Sequence, residues 1–130
     1  MTMHLADPSL FHQSALIDGE WISATAGPSI TVTDPATGEV IGSVPDCSAA
    51  QTNEAIAAAN AAFPAWRART AHERAALLEK WHALVLENLP DLAQIMTAEQ
   101  GKPLAEAQGE IRYAASFIKW FAEEGRRVGG

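Results

Sequence analysis

Glu39-Val-Ile-Gly-Ser-Val-Pro-Asp-Cys-Ser-Ala-Ala-Gln51 is the stretch where the chain changes period. Up to Val44 the residues read as a β-branched return strand. From Ser48 the Ser-x-x-Gln form is a capping box, in which hydroxyl and amide satisfy exposed N–H groups reciprocally. Working back towards the N-terminus, Asp34-Pro-Ala-Thr-Gly38 is a turn, because Pro sets φ and Gly supplies positive φ. Ile30-Thr-Val-Thr33 is the strand that pairs with Glu39–Val44, after a loop with Gly27 and Pro28. Further back, apolar residues flank Asp18-Gly19 within Ala15–Ile22, a strong short-range hairpin signal.

Downstream, the helix opened at Ser48 holds eight alanines between Ala49 and Ala62, a thin surface suited to close packing. Pro64 is expected to end or kink it, leaving Trp66 in a short following segment. Thr70-Ala-His-Glu73 is a second capping box, and Leu77, Leu78, Trp81, Leu84 and Val85 then recur as one apolar stripe. Asn88-Leu-Pro90 closes that helix and opens a third carrying Leu92, Ile95 and Met96, with Gly101 as its stop. Pro103 opens a last helix with Ile111, Ala114, Phe117, Ile118 and Phe121 on one face and Gly125 as terminator. The fold class expected is α+β, N-terminal β-hairpins followed by about four helices. Residues 1–14 read as a flexible leader and 15–130 as the structured segment.

One hundred and thirty residues suffice for one modest core and not for two. The net charge of −7 has no basic cluster to offset it, which argues against nucleic acid and anionic membrane surfaces as partners. Cys47 is the only cysteine, so no internal disulfide forms and a cytoplasmic setting is expected. The first residues have neither a basic region nor a long apolar run, so no secretory signal is expected. The longest apolar stretch, around Ala55-Ile-Ala-Ala-Ala, is far short of the ~20 residues that span a bilayer.

Motifs that carry chemistry are mostly missing. There is no G-x-G-x-x-G, no G-x-S-x-G elbow, and Gly101-Lys102 lacks the upstream Gly of a P-loop. His4, His12, His72 and His82 have no metal-ligand spacing, and His72 and His82 read as ordinary surface or helix-end residues. Cys47 precedes a helix start, which favours a thiolate, but Asp46 is adjacent and no cation is near. It reads as a plain loop residue. Glu106 with Glu110, and Glu123-Glu124, read as solvated helix faces.

Five motifs in register change the picture: Asp34-Pro-Ala-Thr-Gly-Glu-Val-Ile41, Phe63-Pro-Ala-Trp-Arg67, Glu99-Gln-Gly-Lys-Pro-Leu-Ala-Glu-Ala107, Gly109-Glu-Ile111 and Phe117-Ile-Lys-Trp-Phe-Ala-Glu-Glu-Gly125. From about Leu16 to Gly130 the chain resembles the opening of the aldehyde dehydrogenase superfamily, most of all its bacterial succinate-semialdehyde branch. The resemblance implies the front part of an α/β cofactor domain, without its parallel sheet, and NAD(P)-dependent oxidation of an aldehyde to the acid. In that chemistry a cysteine thiolate attacks the aldehyde, hydride passes to the nicotinamide, and a glutamate activates water. The resemblance places that Cys, that Glu, the dinucleotide site and the carboxylate-binding arginines beyond residue 130, and Cys47 matches none of the family's catalytic positions.

Two sites within the chain are implied by the same likeness. Several family members bind a monovalent cation, K+ or Na+, through carbonyls beside the Asn/Asp-Pro turn and an acidic residue ahead of Gly-Lys-Pro. Here those positions are Val32, Thr33 and Glu99, hard oxygen donors of the right kind. Many members have Asp where Glu99 stands, and the plainer role for Glu99 is a local cap or salt bridge. Phe117, Trp120 and Phe121 correspond to residues near the substrate entrance, although aromatics at helical spacing are more often core. The chain alone is expected to be an inactive part of such an enzyme. The rival expectations are a split subunit, or an interaction module binding full-length homologous subunits. Leu78, Trp81, Val85, Ile118 and Phe121 would then lack partners, giving an apolar patch above the ~300–600 Å² of an ordinary monomer and marginal stability.

Overall fold

The computed structural model describes residues 3–23 and 27–127. Met1 and Thr2 of the leader, and Val128–Gly130 at the end of the family-like stretch, lie outside the described residues. Four strands come first: β1 (Ser14–Ile17), β2 (Glu20–Ser23), β3 (Ser29–Thr33) and β4 (Val40–Pro45). Four helices follow: α1 (Ala49–Ala68), α2 (Ala71–Glu87), α3 (Leu89–Gln100) and α4 (Leu104–Glu124). The α+β architecture is the one expected. Among the described residues the strands form two antiparallel hairpins, β1–β2 and β3–β4, and none pair in parallel.

The local chemistry explains each element. Asp18 and Gly19 both take positive φ, at 52° and 80°, as a tight two-residue hairpin turn requires. In β3–β4 the pairing slips by one residue between Val32↔Gly42 and Thr33↔Val40, so Ile41 is the extra residue of a bulge. Both capping boxes form: Ser48 with Gln51 at the head of α1, and Thr70 with Glu73 at the head of α2. The Thr70 hydroxyl holds the Glu73 carboxyl below its usual range, with the Thr70 amide adding to the effect. Gly101 ends α3 at φ 78°, in the left-handed region. Gly125 ends α4 with right-handed φ of −58°, so there the glycine is a terminator without the left-handed cap.

Pro64 does not end α1, which runs on to Ala68. Asn60 and Pro64 are both exposed, so the carbonyl that loses its helical donor at Pro64 can turn to water. The alanine-rich helix packs less closely than expected. Ala55, Ala58, Ala59 and Ala62 face the β1–β2 turn across an open groove of roughly 330 Å³, and α1 buries none of its residues.

The core sits where α4 packs on α2 and α3. Its buried apolar residues are Ala75, Leu89, Ala93, Ala98, Ala107, Ala115 and Ala122, and no large side chain is fully buried. Small residues let helix backbones approach closely, at the short end of ordinary interhelical spacing. His82 on α2 reinforces this seam, its Nδ1 lying 2.9 Å from the Ala115 carbonyl. Since a carbonyl only accepts, Nδ1 carries the hydrogen. At the C-terminal end of the seam Glu79 accepts from Arg126 at 2.9 Å and faces Lys119 at 3.7 Å, while Lys119 also pairs with Glu123 at 2.9 Å.

The segment read as a leader is attached in several places. Asp91, only 5% exposed in the first turn of α3, accepts from the amides of Ala6 (3.0 Å) and Asp7 (2.8 Å). Gln94 exchanges two hydrogen bonds with the backbone of His4, each 3.1 Å.

Two predictions follow from this packing. A Cβ on Gly101 would lie 2.9 Å from Pro35 Cγ, whereas one on Gly38, with similar φ of 75°, would meet nothing within 4 Å. Gly38→Ala should therefore cost only backbone strain, about 1–3 kcal/mol, and Gly101→Ala clearly more, read as a larger drop in urea midpoint. Equal losses would refute the Pro35 contact. The second concerns pH. Hydrogen bonding from Arg126, then the charges of Arg126 and Lys119, holds the Glu79 carboxyl below the usual glutamate range. A depressed carboxylate stabilises the fold above its unfolded pKa, and that help is lost as pH falls through the folded value. Glu79→Gln should thus lower stability slightly at neutral and basic pH and converge with the unsubstituted protein in acid, flattening the acid limb of the profile.

Candidate functional site

The residues proposed for a cation lie on two elements that are neighbours, β3 and α3. Val32 and Thr33 end β3, at the bulge, just ahead of the Asp34–Gly38 turn. That turn is tightly self-bonded: the Asp34 carboxylate accepts from the Ala36 amide at 2.8 Å, the Asp34 carbonyl from Gly38 at 2.7 Å, and the Asp34 amide donates to Glu39 at 2.9 Å. Asp34 is buried. The turn's Pro35 packs against Gly101, so β3 and the C-terminal end of α3 lie side by side. Glu99 stands two residues before Gly101, exposed, and among the described residues its carboxylate has neither a hydrogen-bond partner nor an ion pair. The local cap or salt bridge that offered a plainer role for Glu99 is not formed. The nearby Lys102 is engaged elsewhere, with Glu110 of α4.

A bulge breaks the regular alternation of ladder hydrogen bonds and leaves an extra residue outside it. Carbonyl oxygens at such a place, beside a carboxylate, are hard donors suited to an alkali cation. No group of three His, Cys, Asp or Glu residues that could hold a metal occurs among the described residues, so a site here would rest mainly on backbone oxygens.

The second candidate lies on α4, away from that junction. Phe117, Trp120 and Phe121 are 47%, 61% and 61% exposed, so in this chain they are not core. With Tyr113 and Ser116 they line an open hollow of roughly 340 Å³. Tyr113 and Phe117 meet edge to face, with centroids 4.9 Å apart at 84°. The Ser116 hydroxyl is turned back to the Tyr113 carbonyl at 2.6 Å, so the lining is aromatic and offers little polar recognition. Of the other residues expected to lack partners, Trp81 of α2 is 56% exposed, whereas Leu78 and Val85 of α2 and Ile118 of α4 are half-buried.

Cys47 is half-buried in the loop between β4 and α1, one residue before the N-cap Ser48. It belongs to neither candidate site. Two residues that sequence patterns do not single out make long-range bonds, Asp91 and His82. An Asp in the first turn of a helix is ordinary helix-dipole chemistry. Nothing local announces that Asp91 holds backbone amides 84 and 85 residues away.

Known proteins share the fold. The model of the aldehyde dehydrogenase family matches residues 21–130. The chain is 61% identical over 128 residues to a glutarate-semialdehyde dehydrogenase of Pseudomonas putida, covering 98% of this chain and 27% of that protein. It is 60% identical over 128 residues to the NADP+ succinate-semialdehyde dehydrogenase of Escherichia coli, with the same coverage of 98% and 27%. An aldehyde dehydrogenase crystal structure from Brucella melitensis biovar abortus superposes with a TM-score of 0.94 at 55% identity, over 98% of this chain and 26% of that one. The chain thus spans about a quarter of the length of the relatives it matches. With the family model covering all but the first 20 residues, the chain belongs to the aldehyde dehydrogenase family.

Proposed function

We propose that these residues serve as the N-terminal quarter of an NAD(P)-dependent semialdehyde dehydrogenase that oxidises a short dicarboxylic semialdehyde, of the succinate or glutarate type, to the diacid in the cytoplasm. The observation that carries this reading is identity of 61% and 60%, across 98% of the chain, with two enzymes of that description. Taken alone the 130 residues do not perform the reaction. They hold no Gly-rich dinucleotide loop, and their one thiol, Cys47, sits in a loop without a neighbouring base. The nicotinamide cofactor therefore finds no site here, and no catalytic step is assigned to these side chains. Their part is scaffolding, with Phe117, Trp120 and Phe121 as the one face that would border the substrate's path. The partner is the rest of a dehydrogenase, and neither nucleic acid nor membrane is part of the reading.

The exposed faces of α2 and α4 favour a second reading, a split subunit or a module that binds full-length homologous subunits. Co-purification with a longer dehydrogenase from the native cell would favour it over the first. The decisive comparison is a chimera in which these residues replace the corresponding quarter of the E. coli relative. The chimera should form reduced nicotinamide from succinate or glutarate semialdehyde, and the 130-residue chain alone should form none. A folded chimera inert towards both semialdehydes would sink the reading. Turnover by the lone chain would overturn its dependence on the rest.

The cation belongs to the same proposal: K+ or Na+ held by the Val32 and Thr33 carbonyls and the Glu99 carboxylate. The bulge at Val32–Thr33, the Pro35–Gly101 contact and the unpaired Glu99 support it. A ligand at ten times its Kd adds ~1.4 kcal/mol of stability. Melting in potassium or sodium chloride should exceed melting in a bulky-cation chloride of equal ionic strength, and Glu99→Gln should abolish the difference. The same increment in both proteins would rule the site out.

A further inference from the structure

We propose that residues 4–13 form a strap that sets the angle of the β-hairpin layer on the helical layer, with Asp91 as its latch. The strap touches three elements. At its start, Gln94 and Asp91 of α3 hold the backbone of His4, Ala6 and Asp7. In its middle, Asp7 closes a turn by accepting from the Ser9 amide at 3.0 Å and the Ser9 hydroxyl at 2.6 Å. At its end, the Gln13 amide oxygen accepts from the Ser43 amide of β4 at 2.9 Å, and His12 stacks flat on Trp21 of β2, centroids 3.8 Å apart at 7°. Gly42 is the seat for this end, since a Cβ there would lie 2.7 Å from Gln13 Oε1 and 3.2 Å from Phe11 Cζ.

The alternative ties between the layers are thin. Helix α1 is the covalent link, but it buries none of its residues and leaves an open groove against the first hairpin. Besides the strap, the other clear bridge is the meeting of the β3–β4 turn with Gly101. The strap and that junction lie at opposite ends of α3: Asp91 is in its first turn, Gly101 at its stop. Two attachments at the ends of one helix fix an orientation that a single one leaves free to swivel. The recognition reads backbone at the Asp91 end, because a carboxylate with two acceptor oxygens matches two successive N–H groups. Asn in its place offers one acceptor and turns an N–H donor towards the other amide. Asp91 is thus a positioning residue for Pro35, and the inference stands whether or not a cation occupies the junction.

Hydrogen exchange on the chain tests this with two variants acting from opposite ends of the strap. In Asp91→Asn the amides of Ala6 and Asp7 should exchange about tenfold faster or more, the effect of losing one charge-assisted bond. Loss of protection should reach Ser43 and the Gly38 and Gly101 amides, while the α2–α4 seam around Ala115 stays protected. Gln13→Ala should do the reverse, loosening Ala6 and Asp7 from the far end. Reciprocal loosening establishes the strap. Loss confined to the mutated end in either variant overturns it, since each contact would then be local. Should Asp91→Asn unfold the chain, Gln13→Ala decides between the same two outcomes.

Discussion

There is no room for a side chain at residue 101. Its φ of 78° lies in the left-handed region, and the space where a Cβ would stand is taken by Pro35. That one exclusion joins the two layers. It stops α3, lets the chain turn through Lys102 and Pro103 into α4, and seats the β3–β4 turn on the helical layer. Lys102, pulled to Glu110, secures the entry to α4.

The helical layer is built on an equally economical principle. Ala107, Ala115 and Ala122 recur at intervals of eight and seven, so they share one face of α4, and that face is the one buried. Packing through alanine gives close backbone approach but little apolar area removed from water, on the order of 25 cal/mol per Å² of what is buried. The large side chains, Trp81, Tyr113, Phe117, Trp120 and Phe121, lie off the seam and stay exposed. A share of the apolar surface in this sequence therefore stays exposed within these residues. That exposed apolar surface is the area that the proposed association with the rest of a dehydrogenase would cover.

Much of this was legible from residues alone because turns and caps are local chemistry. Asp18-Gly19, Ser48 to Gln51, Thr70 to Glu73 and Gly101 each state their conformation within four positions, and each does in the structure what its neighbours dictate. The core was less legible. Hydrophobic periodicity marks the large residues, of which Trp81 and Phe121 are exposed as expected, while alanines carry too little contrast to mark the seam. Pro64 misleads for a related reason: its cost depends on whether the orphaned carbonyl meets solvent, and exposure is a tertiary fact. Asp91 and His82 are invisible in the same way, since their partners lie 84 and 33 residues off. The site at Val32, Thr33 and Glu99 came from family likeness. The Pro35–Gly101 contact places its turn beside the end of α3.

Similarity in this region speaks unevenly about function. Two relatives almost equally close to the chain are named for semialdehydes of different length, glutarate and succinate. The N-terminal quarter is therefore shared between enzymes whose substrates differ, and the reason is visible in how its side chains are spent. Glycines 38 and 101 hold backbone conformations, Ser48 and Thr70 cap helices, alanines make the seam, and Asp91 and Gln94 hold backbone amides. None of these groups is free to meet a ligand. Such positions bind the fold, and identity accumulated at them certifies the scaffold rather than the substrate. The α4 face is the exception, because Tyr113, Phe117, Trp120 and Phe121 keep exposed apolar area. One methylene in an apolar pocket is worth only about 1–3 kcal/mol. On the proposed reading, a choice between succinate and glutarate semialdehyde made at that face would be a modest one.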